Sequence, residues 1–135
     1  MDISNINYDS LIEKYQDIII TAADTLWEYA EPAFQEYRSC DLLKSIFKAH
    51  GFDVSFPSAL LPTAFTARWG KGKPVIGLLG EYDALPGMGQ AADIPAPTPL
   101  KTSAGHGCGH NPLGWGVMAG ALFLEHILER EQHPP

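Results

Sequence analysis

The sequence contains little cysteine, little positive charge and no long apolar run, and each shortage excludes a class of protein. Two cysteines in 135 residues are too few for a disulfide-stapled scaffold. Nine Lys and Arg stand against sixteen Asp and Glu, and the net charge of −7 would repel a nucleic acid backbone. No apolar stretch reaches the roughly 18 residues of a membrane span, and residues 1–5 lack a basic, apolar leader pattern. We therefore expect a cytoplasmic protein that binds neither nucleic acid nor membrane.

Two helical patterns occupy the first fifty residues. Apolar residues recur at helical spacing over 8–30, with charged residues on the other side. Pro32 ends this pattern, and a second one runs from residue 34 to 49 or 50, where Gly51 supplies a stop. The sequence thus predicts two amphipathic helices ahead of any sheet, with Cys40 as a small buried residue of the second.

After Gly51 the pattern becomes that of strands. Apolar and polar residues alternate over 52–56, and together with the run at 64–69 they predict two short strands. Residues 74–79 form a continuous apolar run between turn signals, which is typical of a strand buried on both faces of a sheet. Helices before and after these strands make the predicted fold class α/β.

The stretch at 84–104 holds four of the eleven prolines and shows no periodicity, so it predicts a long ordered loop. Asn111 followed by Pro112 then predicts the N-cap and first residue of a third helix. The acidic and histidine side chains in the last turns of that helix lie three or four turns from its start, and we expect them at the surface rather than in a site. They are Glu125, His126 and Glu129.

Cys108 and His110 lie two residues apart in the run 105–111, which contains three glycines. Thiolate and imidazole are ligands that zinc prefers, and at this spacing they can converge in an extended or tightly turned loop. The glycines let the backbone pass close to an ion. Spacing alone leaves two interpretations open, which are a metal-binding pair and a glycine-rich turn that carries His106 and His110 with Cys108 buried.

Glu81 and Asp83 directly follow the apolar run 74–79. Ligands of open α/β sheets bind at the carboxyl ends of strands, and the two-residue spacing allows both carboxylates to face one crevice. A carboxylate there can bridge metal ions or orient a ligating imidazole. Taken in isolation, the segment can also be read as an acidic turn in solvent.

Together these segments carry a family resemblance. Gly-Glu-Tyr-Asp-Ala-Leu-Pro at 80–86 and Gly-His-Gly-Cys-Gly-His-Asn at 105–111 resemble, in this order, the zinc aminoacylase and carboxypeptidase family of metal-dependent amidohydrolases. The subgroup most similar in pattern contains p-aminobenzoyl-glutamate hydrolase, indoleacetyl-amino-acid hydrolases and related dipeptidases. Trp-Glu-Tyr-Ala-Glu-Pro at 27–32 also resembles the N-terminal helix pair of that subgroup.

The resemblance implies roles for individual residues. Cys108 and His110 match metal ligands, and Asp83 matches the catalytic-site carboxylate that orients a ligand or bridges the metal site. Glu81 stands where relatives have an acidic residue or a metal-binding histidine, and Asn111 stands where most relatives have aspartate. The implied cofactor is Zn²⁺, as one ion or a pair, or Mn²⁺ in its place.

The resemblance also implies an architecture and an activity. Residues 1–135 would be the N-terminal portion of a catalytic domain with a mixed sheet flanked by helices, and the family's lid or dimerisation domain, general base and remaining ligands are not expected in this chain. The implied function is metal-dependent hydrolysis of the amide bond of N-acyl amino acids, p-aminobenzoyl-glutamate or dipeptides. Full-length relatives are expected to form homo- or hetero-oligomers.

Two other functions stay open. One is a catalytically inactive truncated product or partner-dependent subunit, because two ligands and one carboxylate fall short of what a catalytic zinc site needs. The other is a redox or structural Cys/His module, which the lack of a Cys-x-x-Cys pair disfavours.

Overall fold

A computed structural model describes residues 6–56, 60–101 and 104–130. They form the helices α1 (Tyr8–Tyr29), α2 (Tyr37–Ala49) and α3 (His110–Arg130) and the short strands β1 (Asp53–Ser55), β2 (Thr66–Arg68), β3 (Leu85–Pro86) and β4 (Ala104–Gly105). β1 pairs with β2 and β3 pairs with β4, both antiparallel, so the described strands make two separate two-stranded sheets. The α/β class is confirmed, as are the two helices that precede any sheet.

The first two helices are joined by a turn with two left-handed residues. The side chain of Asn7 caps the start of α1, and α1 ends at Ala30, whose φ is 41°. Phe34 has a φ of 66°, which no helical residue adopts, so α2 begins at Tyr37 and not at residue 34 as the apolar spacing predicted. Gly51, with a φ of 77°, follows α2 as predicted.

The core lies between the three helices. Its buried apolar side chains come from all of them: Leu11, Tyr15, Ala22, Leu26, Leu43, Ile46, Phe47, Met118 and Leu122. Burying each large one contributes about 1.5–3 kcal/mol, so the helices form the support on which the rest is placed. Cys40 is buried beside this core, as expected. Within the part of the chain that the structure describes, no helix is long and apolar enough to cross a membrane.

The third helix begins earlier than the sequence indicated. Gly109 has a φ of 78° and turns the chain so that α3 starts at His110. Asn111 is therefore a buried residue of the first turn, and its predicted role as N-cap is wrong. Pro112 still falls in the first turn, where its missing N–H removes no helical hydrogen bond.

The predicted long loop is present, and a small sheet closes it. β3 and β4 pair across its base, and an isolated bridge joins Gln90 to Pro99 further along. Residues 102–103 lie outside the described part of the chain.

Residues 74–79, hereafter the apolar segment, do not form the buried strand that their composition predicted. They have no strand assignment, and Ile76 and Leu79 are 62% and 93% exposed. A strand needs a neighbouring strand for its backbone groups and a covering layer for its side chains. Among the described residues β2 pairs only with β1, so the apolar segment has neither.

Glu125 also departs from expectation, because it is only 8% exposed rather than at the surface. Burial raises its pKa, and the charge and side-chain hydrogen bond of Glu129 raise it further, whereas Lys14 on α1 lowers it. Nδ1 of His126 accepts a hydrogen bond from Nζ of Lys14 at 2.7 Å. Glu129 is exposed, as expected. The expectation was wrong for Glu125 because its face of α3 turns inward.

We expect Glu125→Gln to raise the free energy of unfolding at neutral pH and to leave it unchanged in acid. The folded-state pKa of Glu125 lies above its unfolded-state value of about 4.3, so wild-type stability falls as pH rises through these two values. The neutral amide does not titrate and escapes this loss. Urea unfolding across a pH series measures the difference, with Glu13→Gln on the exposed face of α1 as the control. An equal gain in both variants would contradict the assignment.

Candidate functional site

Both segments that carry the family resemblance, residues 80–86 and 105–111, are attached to the carboxyl end of α1. The N–H of Ala84 donates to the carbonyl oxygen of Glu31 at 2.7 Å, beside a parallel bridge between Ala84 and Pro32. Nε2 of His106 donates to the carbonyl oxygen of Leu26 at 2.9 Å. Two segments well separated in the sequence are thereby brought together.

Glu81 and Asp83 face the same side of their segment, as the two-residue spacing predicted. Tyr82 between them points the other way, and its hydroxyl donates to the carbonyl oxygen of Thr63. Burial, followed by its contact with Cys40, raises the pKa of the Tyr82 phenol far above its usual range, so the hydroxyl stays protonated as a donor. The buried tyrosine therefore holds the segment while both carboxylates project into the site.

His110 lies between the two carboxylates. Its Nδ1 is 2.9 Å from Oδ1 of Asp83, and its Nε2 is 3.3 Å from Oε2 of Glu81. The ligand atoms of these three side chains all lie within 4.8 Å of one another. A proton on Nδ1 that is held by Asp83 leaves the Nε2 lone pair directed toward Glu81. This arrangement prepares one nitrogen and one oxygen to share a cation.

The chemistry of this cluster fits a divalent metal ion. Imidazole nitrogen and carboxylate oxygen are donors that Zn²⁺ and Mn²⁺ accept. Among the described residues Glu81 and Asp83 form no ion pair with Lys or Arg, and His110 is the side chain that contacts both of them. Since Asp83 and Glu81 are 21% and 60% exposed, an ion can reach the cluster from solvent.

Cys108 is not part of this cluster. The N–H of Gly109 donates to the carbonyl oxygen of His106 at 3.2 Å and closes a tight turn, and Cys108 lies exposed as a free thiol at its tip. The structure thus brings together two of the three predicted site residues, Asp83 and His110, and adds Glu81, whose role the sequence left open.

His106 has a role that sequence reasoning missed. It is only 7% exposed and packs against α1, with its ring centroid 6.2 Å from that of Trp27. Burial lowers its pKa, an effect that the bond to the Leu26 carbonyl partly opposes. Nδ1 has no hydrogen-bond partner among the described residues. The glycine-rich run 105–111 did not indicate which histidine would bond to the Leu26 carbonyl and which would contact the carboxylates, because that depends on the position of α1.

The chain is similar in sequence to curated hydrolases and dipeptidases. No protein-family model matches the chain. It is 43% identical over 119 residues to a p-aminobenzoyl-glutamate hydrolase subunit of Escherichia coli (strain K12), a match that covers 87% of this chain. It is 32% and 31% identical to the Xaa-Arg dipeptidases of Mus musculus and Homo sapiens, each over 82% of this chain. The chain spans 24% of the length of each of these relatives. The resemblance that residues 80–86 and 105–111 indicated is confirmed.

We expect Gly114→Ala on α3 to disturb the carboxylate segment. A Cβ at this position would lie 2.9 Å from Cβ of Tyr82 and 3.2 Å from the carbonyl oxygen of Glu81, so residues 81–83 must move away from α3. Such overpacking lowers the free energy of unfolding by about 1–3 kcal/mol. Urea unfolding measures this loss.

Gly116 on the same helix supplies the control, because a Cβ there meets nothing within 4 Å. Gly116→Ala is expected to stabilise the protein by up to about 1 kcal/mol through helix propensity alone. Changes of the same sign in both variants would show that Gly114 is not a packing constraint.

Proposed function

Because the chain belongs to the amidohydrolase and dipeptidase family of these relatives, we propose that it forms part of a zinc-dependent site that hydrolyses an amide bond. The observation that carries this proposal is the convergence of one imidazole and two carboxylates within 4.8 Å. The activity belongs to a complete enzyme, since the chain spans only 24% of its relatives' length.

Within the cluster, His110 and Glu81 are the proposed metal donors and Asp83 is a positioning residue. Asp83 keeps the proton on Nδ1 of His110 and so leaves Nε2 for the metal. Cys108 is the further proposed ligand, and the glycines on both sides of it allow its turn to shift without side-chain obstruction. A thiolate among the ligands would select Zn²⁺ over Mn²⁺.

The number of side chains in the cluster limits the chemistry that this chain can carry out alone. When bound, zinc polarises the scissile carbonyl and lowers the pKa of a water molecule to about 7. Once His110, Glu81 and Asp83 have these roles, no described carboxylate of the cluster remains to move the proton to the leaving amine. The general base must therefore come from elsewhere in the complete enzyme.

The lack of a remaining carboxylate in the described cluster also favours the second candidate function, a partner-dependent subunit or a catalytically inactive product. The Escherichia coli relative is itself named as a subunit, which suits a site completed by another polypeptide. Hydrolysis by the chain in isolation would exclude this candidate.

The proposed substrates are N-acyl amino acids, p-aminobenzoyl-glutamate or dipeptides. The names of the relatives describe a p-aminobenzoyl-glutamate hydrolase and Xaa-Arg dipeptidases, both of which break an amide bond to an amino acid. We propose a homo- or hetero-oligomeric enzyme without a nucleic acid or membrane partner. Two free thiols, one of them exposed, suit the reducing cytoplasm as its location.

We expect the purified chain to bind zinc in stoichiometric amount and to lose it in His110→Ala. Removing the positioning carboxylate in Asp83→Asn should weaken zinc binding by about 10- to 100-fold. Elemental analysis and competition with a chromophoric chelator measure both effects. His126→Ala at the far end of α3 is the matched control and should bind zinc as the wild type does.

Cobalt substitution tests Cys108 separately. A thiolate-to-cobalt charge-transfer band that disappears in Cys108→Ser is the expected result. Absence of the band in the wild type would remove Cys108 from the ligand set and leave His110 and Glu81. Wild-type protein that binds no metal would contradict the proposed function.

A further inference from the structure

A chain of side-chain contacts connects residues 81–83 to the start of α2. The hydroxyl of Tyr82 donates to the carbonyl oxygen of Thr63. Oγ1 of Thr63 donates in turn to Oε2 of Glu36 at 2.6 Å, and Glu36 is the residue immediately before α2. These three residues, hereafter the α2 link, join a segment of the candidate site to a helix that contributes no side chain to the metal cluster.

The middle of the α2 link is buried. Thr63 is only 6% exposed. The ring of Tyr82 lies beside that of Phe65, with 6.3 Å between their centroids, and its hydroxyl also contacts the buried thiol of Cys40. A buried polar group that loses its partner cannot turn to water instead, so these hydrogen bonds are strongly preferred. The α2 link is therefore a fixed connection between the helix and the site segment.

The site segment has a second attachment two residues further on. The N–H of Ala84 donates to the carbonyl oxygen of Glu31 at 2.7 Å, and the carboxylate of Glu31 accepts N–H groups at the start of α2. Residues 82–84 are thus bonded to Glu31 at one end and, through the α2 link, to the helix that Glu31 also holds at the other. Two attachments fix the rotation of a short segment as well as its position.

The rotation of this segment matters because successive side chains of an extended chain point to opposite sides. Since Tyr82 is held on the side of α2, Glu81 and Asp83 project to the other side, where His110 lies. Metal donors must be held within about 0.5 Å of their working positions. Without the α2 link, the bond at Ala84 would still hold the segment but would leave it free to turn.

We propose that Thr63 and Glu36 are positioning residues of the candidate metal site. They act through Tyr82, which sets the direction in which the two carboxylates project toward a divalent cation. This inference rests on the proposed function, because it concerns the metal affinity of the same site.

The test compares four variants of the full chain with the wild type. Thr63→Val keeps the shape of the side chain and removes its hydroxyl, and Tyr82→Phe removes the phenolic hydroxyl. Thr63→Ser keeps the hydroxyl that bonds to Glu36. Ile46→Val is the matched control, because Ile46 is a buried residue of α2 that is not part of the α2 link. Removing its methylene destabilises the core without removing a polar contact.

Zinc affinity, measured by competition with a chromophoric chelator, is the first readout. Thr63→Val and Tyr82→Phe should each weaken zinc binding by at least about tenfold, as is usual when a group that orients a metal ligand is lost. Thr63→Ser and Ile46→Val should keep the wild-type affinity. If the α2 link only stabilised the fold, Thr63→Val and Ile46→Val would both lower the urea midpoint and neither would change zinc affinity. That result would overturn the proposal.

Deuterium exchange in the presence of a chelator is the second readout, and it needs no metal. The exchange rate of the Ala84 N–H, which donates to Glu31, is divided by that of the N–H of Ala22 in the buried part of α1. A change in global stability moves both rates, whereas local opening of the site segment moves only the first. The ratio should rise at least about tenfold in Thr63→Val and stay unchanged in Ile46→Val. An unchanged ratio in Thr63→Val would overturn the proposal.

The two readouts separate this inference from the proposed function. A raised exchange ratio in Thr63→Val, together with wild-type protein that binds no zinc, would refute the proposed function and leave the α2 link standing as the restraint on residues 81–83. Zinc bound by Thr63→Val with wild-type affinity would refute the α2 link alone.

Discussion

The carboxyl end of α1 is the point on which the candidate site depends. The Leu26 carbonyl receives His106, and five residues later the Glu31 carbonyl receives the N–H of Ala84. The carboxylate of Glu31 also accepts the N–H groups of Arg38 and Ser39 and thereby holds the start of α2. One short stretch of chain thus positions both site segments and the second helix. Where such bonds are buried, an unsatisfied partner would cost about 1–3 kcal/mol, so the arrangement is strongly preferred.

Within this arrangement, each ring nitrogen of His110 contacts a different carboxylate. Nδ1 of His110 lies 2.9 Å from Asp83 and Nε2 lies 3.3 Å from Glu81, so a cation at the Glu81 edge can be shared by one nitrogen and one oxygen. The thiol of Cys108, only two residues away, lies outside the cluster because a turn separates it from the start of α3. Nearness in sequence and membership of a site are therefore different properties in this loop.

The same structure leaves one region incompletely covered. The helices bury a compact core, whereas the apolar segment and the inner face of α3 border an open groove. Glu125 lies at this boundary, buried enough that its charged form is disfavoured.

The sequence by itself determined the local elements. Helical periodicity placed α1 and most of α2, alternation placed β1 and β2, and the two-residue spacing put Glu81 and Asp83 on one side of the chain. These features depend on neighbours a few residues away, which the sequence displays directly.

Tertiary structure alone decided which distant groups meet. It bonded His106 to the Leu26 carbonyl and made His110 the cluster member, and among the described residues it gave 74–79 no strand partner. It also turned Glu125 inward. The physical reason is the same in each case, because hydrogen bonding and burial depend on groups that other elements supply, and periodicity along one segment carries no information about those elements.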